Sequence, residues 1–280
     1  MTDQDFPPSS EQPARAREID TSVPQSARVW NYFLGGKDNY PVDRMVAEQA
    51  MRVFPQITEI ARNDRGFLKR AVRHLAGELG IRQFLDIGTG LPTMDNTHEV
   101  AQRVAPESRV VYVDNDPLVL VHAQALLTST PPGVTDYIEA DLRQPDVIVA
   151  AAAETLDFDR PVAIMLLGIL HYIPDYDEVC TILARLLDAV PSGSYLAVTH
   201  STYDIGDEAV RKANADALAV WNENARVPLT PRSRQQVSGF FDGLELVEPG
   251  LVSMSRWRPE DTPFGEPSEV AGFAALARKP

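Results

Sequence analysis

Asp86-Ile87-Gly88-Thr89-Gly90 sets a carboxylate and two glycines together at the end of the apolar run Phe84-Leu85. Glycines in such a turn let the backbone pass close to a ligand and take a positive φ that a side chain would oppose. A carboxylate at the mouth of the turn attracts a cation and repels a phosphate. Asp114 ends the next apolar run, Arg109-Val110-Val111-Tyr112-Val113-Asp114, 24 residues after Gly90. An acidic residue roughly 20 residues past such a turn is placed to hold ribose hydroxyls, and Asn115 follows it directly. A third run, Tyr137-Ile138-Glu139-Ala140-Asp141-Leu142, offers Asp141 as an acceptor for an adenine amino group and Leu142 as a cover for the ring.

These residues meet only if the runs are neighbouring strands of one sheet. A helix is expected from Asp95 to Ala105 after the glycine turn. Another is opened by Pro117, with Leu118, Leu120, Val121, Ala125 and Leu126 as its apolar face. Pro161 to Leu167 is nearly all apolar, as a parallel strand covered on both faces should be, and it ends in Gly168-Ile169-Leu170-His171-Tyr172. The fold class is therefore α/β, a doubly wound and mostly parallel sheet. Ligands in such sheets bind beyond the carboxyl ends of the strands. Asp86, Asp114, Asp141 and the stretch Leu167, Gly168 to His171 are expected to line one crevice.

The pattern discriminates between nucleotides. A dinucleotide fingerprint needs a third glycine for close packing of helix on strand, and here that position is Thr93, behind Pro92. Asp86 would also face the pyrophosphate. S-adenosylmethionine carries an ammonium and a sulfonium and no phosphate, so it fits better. An NAD-dependent oxidoreductase remains the alternative enzyme. A non-catalytic protein that binds or senses S-adenosylmethionine is the alternative from another class, because its cofactor motifs would be the same.

The four strand ends resemble those of the class I, Rossmann-like S-adenosylmethionine-dependent methyltransferases over residues 80–280. A narrower likeness spans nearly all of the chain after residue 25. Ala27-Arg28-Val29-Trp30-Asn31-Tyr32-Phe33-Leu34-Gly35-Gly36-Lys37-Asp38-Asn39-Tyr40, with Val111 to Pro117, resembles an actinobacterial S-adenosyl methyltransferase family long carried as a domain of unknown function. The resemblance implies the cofactor and a seven-stranded sheet of order 3-2-1-4-5-7-6 whose last two strands form an antiparallel hairpin. It implies little about the methyl acceptor.

Composition narrows the rest. The chain has 280 residues, 44% of them hydrophobic, enough for a sizeable core. A net charge of −14 argues against non-specific nucleic-acid binding, which needs a basic footprint. The densest basic stretch, Arg62, Arg65, Lys69, Arg70 and Arg73, reads as the wet face of a helix. Cys180 is the single cysteine, which rules out a disulfide within the chain and a cysteine zinc site; it reads as a small buried apolar residue. The five histidines show no ligand spacing, no metal is expected, and no run has the roughly 18 apolar residues of a membrane span. The expected location is cytoplasmic, and the oligomeric state is not legible.

Three regions are expected: a disordered, proline-rich lead over 1–24, an N-terminal helical cover over 25–80, and a Rossmann-like S-adenosylmethionine-binding domain over 81–280. In the cover, Ser26 caps a helix through Leu34, Pro41 opens one to about Val53, and a third follows from Ile57 to Leu79 with Asp64 as a polar intrusion. Tyr32, in a stretch dense in aromatics, glycines and amides, is a candidate lid over the cofactor; the plainer reading is a helix terminus packed on the sheet. Asn63 and Arg65 are candidates for the methionine carboxylate. Past the sheet, His171 is the candidate general base; it reads equally well as a packed histidine, and His200 carries the same pair of readings. Tyr172 either stacks on a ligand or fills the lid interface. The expected reaction is methyl transfer to a small-molecule acceptor, with no nucleic-acid or membrane partner.

Overall fold

The computed structural model describes residues 20–126, 128–224, 227–260 and 265–280. Most of the expected disordered lead therefore lies outside the described residues. The part that is placed is tied down: Arg28 Nη1 and Nη2 donate to the carbonyls of Asp20 (3.1 Å) and Val23 (2.7 Å).

The centre is one sheet. Strands β1 (Gln83–Ile87), β2 (Arg109–Asp114), β3 (Val134–Glu139), β4 (Ala163–Leu167) and β5 (Tyr195–Ser201) run parallel. They are joined by two-residue strands β6 (Glu245–Leu246) and β7 (Val252–Ser253) and by β8 (Gly272–Arg278). The order is β3-β2-β1-β4-β5-β8-β6, with β7 also pairing β8. β8 is antiparallel to both β5 and β6, so the implied order holds, and the short β7 is an addition to it. Alternation along the strands splits the core in two. Leu85, Ile87, Val111, Val113, Ile164 and Leu166 face one layer; Phe84, Val110, Tyr112, Ala163 and Met165 face the other. Burial on both faces explains why these strands read as continuous apolar runs.

The first layer is covered by α6 (Pro145–Ala152) and α7 (Tyr176–Asp188), the second by α3 (Ile57–Gly77) and α4 (Thr97–Val104). Asp175 caps α7 by accepting from the Glu178 amide at 3.0 Å. Cys180, on α7, is half-buried against the core instead of fully enclosed. α4 starts later than expected. Asn96 is its cap, and the residue before it, Asp95, has φ 59°. In α5 (Pro117–Leu126) the buried residues are Leu118, Val119, Leu120 and Ala123. Val121 is 57% exposed and Ala125 also faces out, because the helix packs by its other side. The Leu126 side chain lies outside the described residues.

A small satellite core is formed by α1 (Ser26–Phe33), α2 (Pro41–Val53) and α8 (Glu208–Asn224), with Val29, Phe33, Val46, Ala47, Ala50 and Trp221 buried between them. Pro41 opens α2 because its missing N–H is not needed in a first turn. Asp43, fully buried, accepts from the amides of Gln25 and Tyr40 at 2.9 and 2.8 Å and pairs with Arg28 Nε at 3.3 Å. This node fixes the entry of α1 against the start of α2. The wet-face reading of α3 holds for Arg62 and Arg73, which are exposed, and fails for Arg70. Arg70 reaches the carbonyls of Trp257 and Met254, each at 2.7 Å, because that segment ends beside α3 with its carbonyls unpaired by any strand.

Candidate functional site

The carboxyl ends of β1, β2 and β4, with the loop after β3, open onto one crevice. A cavity of about 330 Å³ lies over Gly88, Asp114, Asn115, Asp141, Leu142 and Tyr172. A second of about 110 Å³ continues past Asp86, Gly90, Arg65, Leu167 and Gly168. The crevice thus brings together nine of the eleven expected cofactor-binding residues. Tyr32 and Asn63 are not among them, and this corrects the expectation. The Tyr32 hydroxyl lies 3.1 Å from Glu48 Oε1 on α2, and Asn63 Nδ2 donates back to the Glu59 carbonyl of its own helix at 2.8 Å. Helical rotation decides this: Ser26, Ala27, Trp30 and Asn31 are the described α1 residues that line the crevice. Tyr32→Ala is expected to leave S-adenosylmethionine affinity within about twofold, the usual size of effect for a surface substitution, as calorimetry would measure.

The turn after β1 is built on positive φ at Gly88 (79°) and Gly90 (66°). A Cβ on Gly88 would stand 2.7 Å from Ile169 Cγ1, whereas one on Gly90 meets nothing within 4 Å and would project into open space. Gly88→Ala is expected to cost about 1–3 kcal/mol, from backbone strain together with the clash; the shift in urea midpoint measures it. Asp114 is bound into the turn: Oδ2 accepts from the Gly90 amide and Oδ1 from the Asp116 amide, both at 2.9 Å. Thr97, the first residue of α4, donates to Asp86 Oδ2 at 2.6 Å.

Burial pushes the carboxyls of Asp86 and Asp114 up to about 6, and pushes that of Asp64 up as well. Asp64 and Asp86 also repel each other's charge. Carboxylates kept out of water, with Arg65 as a nearby cation for Asp64 and Asp86, favour a positively charged ligand. Arg65 itself donates to the carbonyls of Met94 and Asp95, both at 3.2 Å, at the rim.

Beyond the crevice lies a third cavity, about 90 Å³ and mostly apolar, lined by Phe33, Phe54 and Ile60 and by Ala217, Leu218 and Trp221 of α8. It shares four residues with the crevice: Trp30, Asp64, Gly168 and Tyr172. His171 lines only this third cavity. Its Nδ1 is 3.3 Å from Ser201 Oγ, and burial beside His200 and Arg232 drives its pKa well below the ordinary histidine value. His200 is held neutral too, at about 4; its Nδ1 donates to the Ser201 carbonyl and its Nε2 accepts from Arg232. His200 is thus a packed histidine that anchors Arg232, whose other donors hold the carbonyls of Leu170 and Ile173.

A model of the S-adenosyl methyltransferase family matches residues 12–280. The chain belongs to the S-adenosyl methyltransferase family. It is an S-adenosylmethionine-dependent methyltransferase with a class I fold. A DUF574 family protein from Streptomyces avermitilis is 46% identical, with a TM-score of 0.88 over 94% of this chain and 100% of that one. A protein from Thermobifida fusca, described as a candidate methyltransferase, is 43% identical, with a TM-score of 0.82 over 93% of this chain and 96% of that one. Both sources are actinobacterial. An S-adenosylmethionine-dependent methyltransferase from Anabaena variabilis shares the fold at 13% identity and a TM-score of 0.50, over 94% of this chain and 98% of that one. No curated protein matches.

The residues present fit S-adenosylmethionine. Gly90 leaves room for a close backbone approach, the buried acids suit its cationic centres, and the two cavities, which share Gly88 and Asp114, offer Asp114 to a ribose and Asp86 and Arg65 to an amino acid. Sequence reasoning missed Trp30, Asn214 and Trp221. Asn214, Ala217, Leu218 and Trp221 do share one helical face, a spacing visible in the sequence, but nothing in it said that this face looks into a cavity. Asp64 was visible as a break in an apolar stripe, at a turn or facing the cleft; the structure places it in mid-helix, lining the crevice.

Proposed function

We propose that the methyltransferase acts on a small molecule bound in the apolar cavity beneath α1, α2 and α8, and that the crevice residues Asp86, Gly88, Gly90, Asp114, Asn115, Asp141, Leu142, Leu167 and Gly168 hold the cofactor. The observation that carries this reading is the junction: Trp30, Asp64, Gly168 and Tyr172 line both the crevice and the apolar cavity. When bound, S-adenosylmethionine supplies a methyl group on a positively charged sulfur, already electrophilic. The protein's task is then to align an acceptor within roughly 3–3.5 Å of that carbon and to keep water out.

Trp30 and Tyr172 supply the walls that exclude water at the junction. Asp64 and Asp86 offset positive charge there, Asp114 and Asn115 hold the ribose, and Asp141 with Leu142 takes the adenine. The cover over 25–80 bounds the acceptor side, and α8 completes it. No helix among the described residues is long and apolar enough to cross a membrane. A lone cysteine is in keeping with a reducing, cytoplasmic setting. The direct test is release of S-adenosylhomocysteine on incubation with candidate acceptors. Tight cofactor binding without turnover on any acceptor would instead favour a sensor. Larger thermal stabilisation by a pyridine dinucleotide than by S-adenosylmethionine would sink the reading.

A further inference from the structure

The acceptor cavity is selective in its polar chemistry. Its walls are apolar apart from a few groups, and two of those are donors without partners: Trp221 Nε1 and Asn214 Nδ2 are buried and make no hydrogen bond. Trp221 is 6% exposed, so water does not serve its N–H. A buried donor left unpaired is costly, and a ligand that accepts from it recovers that cost. Both donors demand acceptors, so a protonated amine could pair with Asp64 but would leave Trp221 and Asn214 unserved. The hydroxyls of Thr199 and Ser201 are already engaged with Asp64 and His171. Among the described lining residues an anionic acceptor would find no cation to pair with, and the nearby Arg232 lies behind His200 and is spent on the carbonyls of Leu170 and Ile173. The 90 Å³ is smaller than the roughly 150 Å³ that holds benzene, so the part of the acceptor beside the sulfur is no larger than one ring.

Among the described residues, Asp64 is the one carboxylate that lines both this cavity and the crevice. Oδ1 accepts from Thr199 Oγ1 at 2.5 Å, which fixes the side chain in mid-helix and leaves Oδ2 for another donor. His171 lines only the acceptor side and is too weak a base to compete, its ring being held neutral by burial.

Resting on the functional reading above, we infer that the acceptor is an uncharged, ring-sized oxygen compound that accepts from Trp221 and Asn214, and that its hydroxyl gives its proton to Asp64 as it is methylated. The acceptor oxygen forms the new O–CH3 bond, the S–CH3 bond breaks with its electron pair left on sulfur, and the hydroxyl proton ends on Asp64 Oδ2. The products are a methyl ether, S-adenosylhomocysteine and a neutral Asp64.

The probes are 4-hydroxyacetophenone and 4-hydroxybenzoate, titrated into the full chain saturated with S-adenosylhomocysteine and followed by calorimetry. The neutral phenol is expected to bind at least about tenfold more tightly than the anionic probe, and Trp221→Phe or Asn214→Leu to weaken it about fivefold to tenfold, the size of one lost hydrogen bond. Asn214 is half-exposed, so its variant keeps the test open if Trp221→Phe does not fold. Asp64→Asn is expected to keep phenol binding and lower methyl transfer to it by roughly 10²–10⁴-fold, as loss of a general base does. Equal binding of the anionic probe, no phenol binding, or unchanged turnover in Asp64→Asn overturns the inference. Retained S-adenosylmethionine affinity in those cases leaves the functional reading standing; its loss in the wild-type protein would end both.

Discussion

Asp114→Ala is expected to weaken S-adenosylmethionine binding by about 100-fold, close to 2.7 kcal/mol, measured by calorimetry at pH 7. The carboxylate at the end of β2 has two jobs. It faces the crevice where ribose hydroxyls would lie, and it ties the turn together through the Gly90 and Asp116 amides. Hydrogen bonds to a charged acceptor are worth about 1.5–3 kcal/mol each, and the substitution removes those to the ligand while freeing the turn that shapes the pocket. Asp114→Asn separates the two effects. Its amide oxygen still accepts one backbone N–H, so the turn survives better than the charge does. Equal affinity of the alanine variant and the wild type would remove Asp114 from the site.

Affinity for S-adenosylmethionine is expected to rise about tenfold between pH 5 and pH 7 from Asp86 alone, and up to about 100-fold if Asp114 also loses its proton on binding. Burial pushes both carboxyls up to about 6 in the free protein, with Asp86 raised further by Asp64. A cation entering the crevice stabilises their ionised forms, so binding expels the protons that they hold below pH 6, and acid therefore competes with the ligand. Asp86 carries the firmer half of the expectation, being 5% exposed, whereas Asp114 keeps some surface open to solvent that softens its response. The ligand's amine and carboxylate keep their charges across this window. An anionic dinucleotide would show the opposite slope. Stability of the free protein is a poorer reporter of the same groups. Raised carboxyls add stability as pH falls from about 6 towards 3.8, while His171 and His200, held below the ordinary 6.5, withdraw it over much of the same range. A flat affinity from pH 5 to pH 7 would show that neither acid senses the cofactor's charge.

The parallel sheet, its glycine turn and the acids at the ends of β1 and β2 were legible because each is a local property. An apolar run of strand length, a glycine pair and a carboxylate at a fixed offset specify where backbone approaches a ligand, whatever surrounds them. Thr93 in place of a third glycine, together with Asp86 at the turn, turned the reading away from a dinucleotide. The start of α4 was less legible, since Asn96 and Asp95 both have capping character and the choice fell to Asn96 through its bonds to Thr93 and Glu99. Arg70 looked like surface charge, and only the Trp257–Met254 segment lying across α3 turned it inward.

What the sequence alone determined was the cofactor half of the molecule: fold class, strand order through the resemblance, and the crevice acids. The acceptor half was decided by tertiary structure. Whether Tyr32 or its neighbours Trp30 and Asn31 face the ligand depends on how α1 is rotated about its axis, which the buried Arg28–Asp43 pair and the packing against α2 and α8 set. Asp64 and Trp221 are 157 positions apart in the chain, and meet around one cavity because α3 lies along the sheet while α8 folds back over it. Side chains that meet from separate helices leave no common spacing to read, since their contact is fixed by how the helices pack.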